Sequence, residues 1–215
     1  MIDTSRFVAF EGIDGSGKST MANLVRNWLL EQHLPVVTTR EPGGTALGES
    51  IRSAILNSKE PLLPIQEAAL FMVARKQLLT NVIEPALGKD AWVLVDRYRD
   101  STWAYQTATD TKVKVGMQLA ELEGMLGTSL KPGLVFYFDV DVDVALSRLD
   151  TNKLDYFERK GKAFYQSVVN RYRFFAKPWN SPECTKYVTI DANQPLRAVQ
   201  EQVLKEFAEY KNSLG

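Results

Sequence analysis

The fold is decided by one stretch near the start of the chain, Phe7-Val8-Ala9-Phe10-Glu11-Gly12-Ile13-Asp14-Gly15-Ser16-Gly17-Lys18-Ser19. Its last eight residues match the pattern G-x-x-x-x-G-K-S/T in full, between an apolar run and a helix-like segment from Thr20 to Leu30. The three glycines permit a tight, partly left-handed path that turns successive backbone N–H groups toward one point. The helix that follows adds its positive end. The stretch therefore predicts a strand, a phosphate-binding loop and a helix.

The residue types in this loop predict its ligands. The Lys18 ammonium suits the β- and γ-phosphates of a nucleotide, and the Ser19 hydroxyl is placed to ligate Mg²⁺. We expect the nucleotide to be held by the whole loop and the first helical residue, namely Gly12, Ile13, Asp14, Gly15, Ser16, Gly17, Lys18, Ser19 and Thr20.

Bulk composition predicts one domain, with no linker that would divide the 215 residues, of which 45% are hydrophobic. Lys plus Arg and Asp plus Glu both total 26, so the neutral balance gives no reason to expect nucleic acid or an acidic membrane surface as a partner. The single cysteine, Cys184, suits a reducing compartment. Neither an export signal nor a membrane span is indicated, so we expect a cytoplasmic protein.

Short β-rich runs alternate with longer stretches of helical character, at Phe7–Phe10, Val36–Thr39, Trp92–Val95, Leu134–Phe138 and Tyr187–Ile190. This order predicts an α/β protein with a parallel sheet and helices on both faces, whose ligands gather beyond the carboxyl ends of the strands. The first three runs each end in polar residues that could share one site. Long helices are predicted at Ile65–Leu87 and Tyr156–Lys177, and a mobile surface segment near 148–158.

A second cluster of polar residues follows the third strand. Arg97 should project toward the phosphate loop, where it could grip a second phosphate; a surface salt bridge is the alternative. Asp96 could hold Mg²⁺ through water, orient Arg97 or cap a helix. Thr102, Tyr105 and Gln106 fall at i, i+3 and i+4, either as one polar face near Arg97, where Gln106 can read the edge of a base, or as a solvated helix face.

Phe71 and Arg75 are i and i+4 on the first long helix and could clamp a flat heterocycle. On its own, a Phe on an apolar helix is more often a core residue than a platform for a ligand. Arg75 favours the functional interpretation, because an unpaired charge in this apolar stretch would be costly.

Together these segments resemble thymidylate kinases of the bacterial type. The resemblance rests on Phe10–Ser19, Thr39–Thr45 with Ile51-Arg52, Asp96–Tyr98 followed by Ser101-Thr102 and Ala104–Gln106, and Lys131–Leu134. It implies a three-layer P-loop kinase fold with a five-stranded parallel sheet, ATP-dependent phosphorylation of dTMP to dTDP with Mg²⁺, and a homodimer. No nucleic acid or membrane partner is implied.

The resemblance also implies roles for individual residues. Arg52 and Arg97 would bind the acceptor phosphate, with Arg40 nearby. Phe71 would stack on thymine while Arg75, Thr102 and Gln106 contact its polar edges. Tyr105 would crowd the 2′ position of the sugar, and Asp14 would accept a hydrogen bond from the 3′-OH. The substrate-binding set is completed by Glu41, Pro42 and Ser101, and the metal set by Ser19 and Asp96.

One segment departs from the family pattern. The family carries an arginine-rich lid near R-G-x-x-D-R-x-E, whereas this chain has Arg148 to Glu158 with Tyr156 where the second arginine is expected. Transition-state charge would then be met by Arg148, Lys153 or Arg159. We expect Lys18, Arg97, Asp14, Arg148 and Lys153 to form the catalytic set.

Three other functions compete with this interpretation. Asn152-Lys153-Leu154-Asp155 matches N-K-x-D, a guanine-reading pattern, but that pattern should close a buried strand and the nearest predicted strand ends near Asp139. The chain could be a kinase for another nucleotide, since base identity depends on few side chains. It could also be a nucleotide-binding regulatory module with weakened catalysis.

Overall fold

The computed structural model describes residues 2–110, 114–149, 155–176 and 185–215. Its centre is a five-stranded, all-parallel sheet in the order β2-β3-β1-β4-β5. The strands are β1 (Phe7–Glu11), β2 (Val36–Arg40), β3 (Trp92–Asp96), β4 (Leu134–Asp139) and β5 (Lys186–Asp191). All five predicted strands are confirmed, within one residue at each end, because each is a short run rich in β-branched and aromatic residues.

Helices connect the strands. They are α1 (Lys18–Glu31), α2 (Ala46–Leu56), α3 (Pro64–Leu78), α4 (Glu84–Leu87), α5 (Arg99–Gln106), α6 (Lys114–Leu126), α7 (Val142–Ser147), α8 (Gly161–Phe175) and α9 (Leu196–Asn212). A π-helical turn, Leu79–Ile83, joins α3 to α4. The predicted helix Ile65–Leu87 is therefore one helical stretch with a wider turn inside it.

The second predicted long helix begins later than expected. Tyr156 and Phe157 lie in a turn, Glu158–Lys160 form a short 3₁₀ turn, and α8 starts at Gly161. The Asp155 carboxylate accepts hydrogen bonds from the backbone N–H groups of Phe157 (2.8 Å) and Glu158 (2.9 Å), which gives the chain a local alternative to the helix. The predicted end at Lys177 lies outside the described residues.

Side chains alternate across the sheet and divide the core. Val8 and Phe10 point to the face that α1 and α9 cover, whereas Phe7 and Ala9 point to the face covered by Leu78–Leu87. Both faces are apolar, which is typical of a parallel sheet between helix layers.

Because the strands are parallel, their carboxyl ends lie at one edge of the sheet. The phosphate loop after β1, the Arg40–Gly44 turn after β2 and the Asp96–Tyr98 turn after β3 come together there. This is the shared site that the sequence predicted.

Candidate active site

The phosphate loop runs from Gly12 to Gly17 and leads directly into α1. Gly15 and Gly17 have φ values of +77° and +91°, and a Cβ on Gly15 would lie 2.2 Å from the carbonyl oxygen of Ala145. Gly17 is the N-cap of α1 and offers no side-chain acceptor to the N–H groups of the first turn. The loop therefore presents backbone donors to an anion.

Lys18 lies inside this loop, with only 6% of its surface exposed. Its ammonium donates to the carbonyl oxygen of Ile13 (3.0 Å) and lies 4.0 Å from Asp14 Oδ1. Burial, with a contribution from Arg97, lowers the pKa of Lys18 to about 8, against the opposing effect of nearby carboxylates. A phosphate beside Lys18 would stabilise the charged form of its ammonium.

Ser19 and Asp96 meet beside the loop, where the Ser19 hydroxyl donates to Asp96 Oδ2. Among the described residues, Asp96 Oδ1 is buried without a hydrogen-bond partner. The Ser19 hydroxyl and the Asp96 carboxylate, with its unpaired oxygen, are oxygen donors of the kind that Mg²⁺ prefers, so the residues fit this ion. The capping alternative for Asp96 is wrong, because α5 begins at Arg99 and Tyr98 is its N-cap.

Arg97 reaches into the same site from a backbone with φ of +65°. Its guanidinium donates to the carbonyl oxygen of Gly12 (2.9 Å), to Asp14 Oδ1 (2.6 Å), to Ser101 Oγ (3.2 Å) and to the hydroxyl of Tyr105 (3.1 Å). The ion pair with Asp14 is largely buried rather than a surface salt bridge. Arg97 thus links the phosphate loop to α5.

Asp14 is the meeting point of these contacts. Its Oδ2 accepts hydrogen bonds from the hydroxyls of Tyr105 (3.2 Å) and Tyr165 (3.0 Å). Burial would raise the pKa of Asp14, but the charges of Arg97 and Lys18 and the hydrogen bonds it accepts hold that pKa well below its usual range. Asp14 is therefore a fixed anion and hydrogen-bond acceptor.

Glu11, at the end of β1, fixes the turn that carries Arg97. Its carboxylate accepts from the backbone N–H of Tyr98 (2.9 Å), the hydroxyl of Ser101 (2.6 Å) and the hydroxyl of Tyr172 (3.0 Å). Burial raises the pKa of Glu11 to about 7, and the charge of nearby Asp100 adds to the effect.

A crevice of about 570 Å³ opens between the phosphate loop, α2, α3 and α5. We call it the acceptor pocket; the 570 Å³ includes space that is open to solvent. It is lined by Asp14, Glu41, Pro42, Arg52, Leu56, Phe71, Arg97, Tyr98, Ser101, Thr102, Tyr105, Gln106, Asp155 and Phe157. Ten of the predicted substrate-binding residues thus meet in one place, with Asp14 among them at the phosphate loop.

Aromatic rings form one end of the acceptor pocket. Phe71 lies 6.1 Å from Phe157 between ring centroids, and Phe157 packs edge-on against Tyr105 at 5.5 Å. Phe71 is both a core residue and a pocket wall, so the two interpretations of its role are compatible.

Arg75 is not among the lining residues and is completely buried. Its Nε donates to both Glu41 oxygens (3.0 and 2.8 Å), and its Nη2 donates to Thr102 Oγ1 (2.7 Å). The predicted clamp of Phe71 and Arg75 is therefore not formed in this structure, where Arg75 braces Glu41 and Thr102 from behind the pocket wall. The ion pair with Glu41 resolves the cost of a charge in an apolar helix.

Arg52 lines the acceptor pocket, and its guanidinium donates to the carbonyl oxygen of Pro42 (3.2 Å). Burial lowers the pKa of Arg52, and the charges of Arg40 and Arg97 lower it further. Three guanidinium groups so close together favour an anion between them. Arg40 itself lies in an adjoining crevice and pairs with Glu49 at 2.9 Å.

The predicted lid residues fall in different places. Arg148 donates to the carbonyl oxygens of Gly15 and Ala192, each at 3.1 Å, and so touches the phosphate loop. Arg159 donates to the carbonyl oxygen of Ser58 (3.3 Å), away from that loop. Lys153, and with it most of the N-K-x-D match, lies outside the described residues, as do 150–154 of the predicted mobile segment.

Comparison with known proteins decides the family. The thymidylate kinase family model matches residues 10–203. The chain belongs to the thymidylate kinase family. Among curated thymidylate kinases, that of Pseudomonas fluorescens (strain Pf-5) is 41% identical over 205 residues, covering 93% of each chain. That of Fervidobacterium nodosum is 37% identical over 205 residues, covering 95% of this chain and 99% of its own.

This thymidylate kinase family member also contains site residues that sequence reasoning missed. Phe157 covers the acceptor pocket, Tyr165 donates to Asp14, and Glu67 contacts Gln106. Each comes from a part of the chain distant from its partner. Local spacing gave no signal for them, since Tyr165 and Glu67 lie inside helices where no sequence motif singles them out.

Two features are absent from the described ranges. No group of three or more His, Cys, Asp or Glu side chains that could hold a metal ion occurs there. Nor does any helix in those ranges have the length and apolar character needed to cross a bilayer.

Proposed function

We propose that this chain transfers the γ-phosphoryl group of ATP to dTMP and so forms dTDP. The observation that carries the proposal is the contact of Arg97 with Asp14, which joins the phosphate loop to a pocket lined by arginine, aromatic and amide side chains. Membership of the thymidylate kinase family supports dTMP as the acceptor, and no observation favours another nucleotide or a regulatory module.

The donor side is the phosphate loop. Backbone N–H groups and Lys18 would hold the β- and γ-phosphates, and Ser19 and Asp96 would hold Mg²⁺. When bound, Mg²⁺ neutralises charge on the transferred phosphoryl group. Arg148, which touches the loop at Gly15, is the described lid cation best placed to add positive charge there.

The acceptor side is the pocket. Arg52 and Arg97 would bind the phosphate of dTMP, Phe71 and Phe157 would enclose the base, and Tyr105 would lie against the sugar, where Asp14 accepts from the 3′-OH. No covalent intermediate with the protein is needed, because the work consists of positioning two anionic phosphates in line and neutralising their charge.

A panel of acceptors tests this function. ADP release would be measured with Mg²⁺-ATP and dTMP, dCMP, dGMP or thymidine, and we expect dTMP to give the highest kcat/KM. Equal ADP release from dTMP and the other acceptors would contradict the substrate, and tight binding of ATP and dTMP without dTDP would contradict the reaction.

Arg97→Ala should abolish turnover that depends on dTMP while leaving ATP binding nearly intact, because the guanidinium serves the acceptor phosphate. Steady-state kinetics and ATP titration check both statements. Unchanged turnover would contradict the role given to Arg97.

We further propose that the chain forms a homodimer in the cytoplasm. Val73 of α3 and Met117 and Met125 of α6 are exposed apolar side chains on two helices that pack together through Ala68, Met72 and Leu119. Such a surface suits a second copy of the chain. Met117→Lys with Met125→Lys should reduce the mass measured by sedimentation to that of one chain.

The proposed location in the cytoplasm rests on the single cysteine in the sequence, which fits a reducing compartment.

A further inference from the structure

The side-chain amide of Gln106 is buried in the wall of the acceptor pocket. It belongs to α5, is only 1% exposed, and lines the pocket. Its amide nitrogen Nε2 donates to Glu67 Oε2 at 2.9 Å. Its amide oxygen Oε1 is buried and has no hydrogen-bond partner among the described residues. A buried, unpaired acceptor in a pocket wall favours a ligand that brings a donor.

Glu67 determines which end of this amide faces the pocket. Glu67 lies on α3, is 1% exposed and is not among the residues that line the pocket. An ionised carboxylate only accepts hydrogen bonds, so the amide must turn its NH₂ group toward Glu67. The opposite orientation would place two oxygen acceptors against each other. The carbonyl oxygen is therefore the polar atom that Gln106 offers to a ligand.

Lys160 supports the charge of Glu67 from another element. Its ammonium lies 2.8 Å from Glu67 Oε1 and belongs to the 3₁₀ turn before α8. It also lies 4.6 to 5.0 Å from the ring centroids of Tyr156, Phe157 and Phe164. A buried carboxylate without a cation would be strongly unfavourable, so Lys160 keeps the orienting group in place.

We propose that Glu67 and Lys160 are positioning residues that hold Gln106 as a hydrogen-bond acceptor and so select acceptor bases with a ring N–H. Thymine and uracil carry such a donor at N3, whereas cytosine presents a ring nitrogen lone pair there. A fixed carbonyl oxygen can accept a hydrogen bond from N3–H of thymine or uracil, but it repels the lone pair at N3 of cytosine. The inference rests on the proposed function, because it takes a pyrimidine deoxynucleotide as the acceptor.

The test compares substrates on the same protein preparation. The kcat/KM values for dTMP, dUMP and dCMP would be measured for the wild type, Glu67→Gln and Lys160→Met. Lys162→Met is the matched control, since Lys162 pairs with exposed Asp143 at 2.6 Å, outside the pocket. A ratio of kcat/KM values does not depend on the fraction of folded enzyme, so a loss of stability in a variant leaves the test valid.

In Glu67→Gln, the new amide can donate or accept, and Gln106 is free to reverse. We expect the dTMP-to-dCMP ratio to fall at least tenfold in Glu67→Gln and about threefold in Lys160→Met, with the dTMP-to-dUMP ratio and the control unchanged. Equal losses on dTMP and dCMP would mean a structural role and overturn the inference, as would an unchanged ratio. Wild-type preference for dTMP is a separate result, and its absence would contradict the proposed function itself.

Discussion

At the scale of single residues, Lys18 shows how the phosphate loop prepares for its ligand. The ammonium is buried among Arg97, Asp14, Asp96 and Glu11, and burial is the main reason that its pKa falls to about 8. Phosphate oxygens beside it would favour the charged form and raise this pKa again. The protonation of Lys18 and the binding of ATP are therefore linked.

This linkage gives a prediction. With a pKa of about 8, we expect about half of the Lys18 side chains in the free protein to be neutral at pH 8, so binding of Mg²⁺-ATP should take up about half a proton per site, and almost none at pH 6. Titration calorimetry in two buffers of different ionisation enthalpy measures the uptake. Lys18→Arg should show none, because a guanidinium stays charged. The same heat in both buffers at pH 8 would contradict the linkage.

Tyr165 makes a second prediction at this scale. Its hydroxyl donates to Asp14 Oδ2 at 3.0 Å, so Tyr165→Phe removes one of the groups that orient this carboxylate. We expect kcat to fall about fivefold, equivalent to about 1 kcal/mol, with little change in the KM for ATP. Tyr210→Phe is a control, since its hydroxyl donates to the carbonyl oxygen of Ser5 at the opposite edge of the sheet. Equal effects of both substitutions would count against the role of Tyr165.

At the scale of elements, the turn before α8 is tied to the connection between α2 and α3. The hydroxyl of Tyr156, at the position where the resemblance predicts an arginine, accepts a hydrogen bond from the backbone N–H of Leu62 at 2.9 Å. The neighbouring Phe157 covers the acceptor pocket. Tyr156 thus packs beside the pocket, where its ring lies 5.1 Å from that of Phe157.

Tyr156→Phe should therefore weaken dTMP binding. The Leu62 N–H loses its acceptor, and the turn that carries Phe157 loses its attachment. We expect the KM for dTMP to rise about threefold to tenfold while the KM for ATP stays nearly constant, as measured by steady-state kinetics. Tyr137→Phe, which removes a hydroxyl bonded to Asp139 at 3.1 Å, should leave both constants unchanged. An unaltered KM for dTMP in Tyr156→Phe would refute the attachment.

The elements also show what the sequence could and could not predict. The strands were predictable because apolar runs with polar ends are local signals, and the phosphate loop because its glycines and lysine are contiguous. The role of Arg75 was not, since its partner Glu41 is 34 residues away. The start of α8 was also missed, because the Asp155 side chain replaces helical hydrogen bonds with its own. Contacts between residues that are far apart in the sequence follow no local spacing, so sequence patterns do not predict them.

At the scale of the whole molecule, stability depends on the two apolar faces of the central sheet. Phe136 of β4 is completely buried and stacks on Phe10 of β1 with centroids 5.6 Å apart. Phe174 at the end of α8 is 57% exposed. The two phenylalanines have the same chemistry and opposite environments.

Phe136→Ala should reduce the free energy of unfolding by about 3–5 kcal/mol, because it removes buried apolar area and leaves a cavity. Phe174→Ala, its matched control, should change this free energy by less than about 0.5 kcal/mol. Urea denaturation followed by circular dichroism measures both values. Similar losses in the two variants would contradict the described burial.

Because of the left-handed turn at Arg97, this part of the site acquires its shape when the protein folds and not when a ligand binds. A non-glycine residue in this conformation costs about 1 kcal/mol or more. That cost is met during folding, because the Arg97 N–H bonds the carbonyl oxygen of Phe10 (2.9 Å) and Glu11 fixes the next residue. The Arg97 guanidinium is therefore already immobilised before a phosphate binds. Less of the binding free energy of the phosphate is then needed to order the protein, and more of it can hold the reacting groups in line.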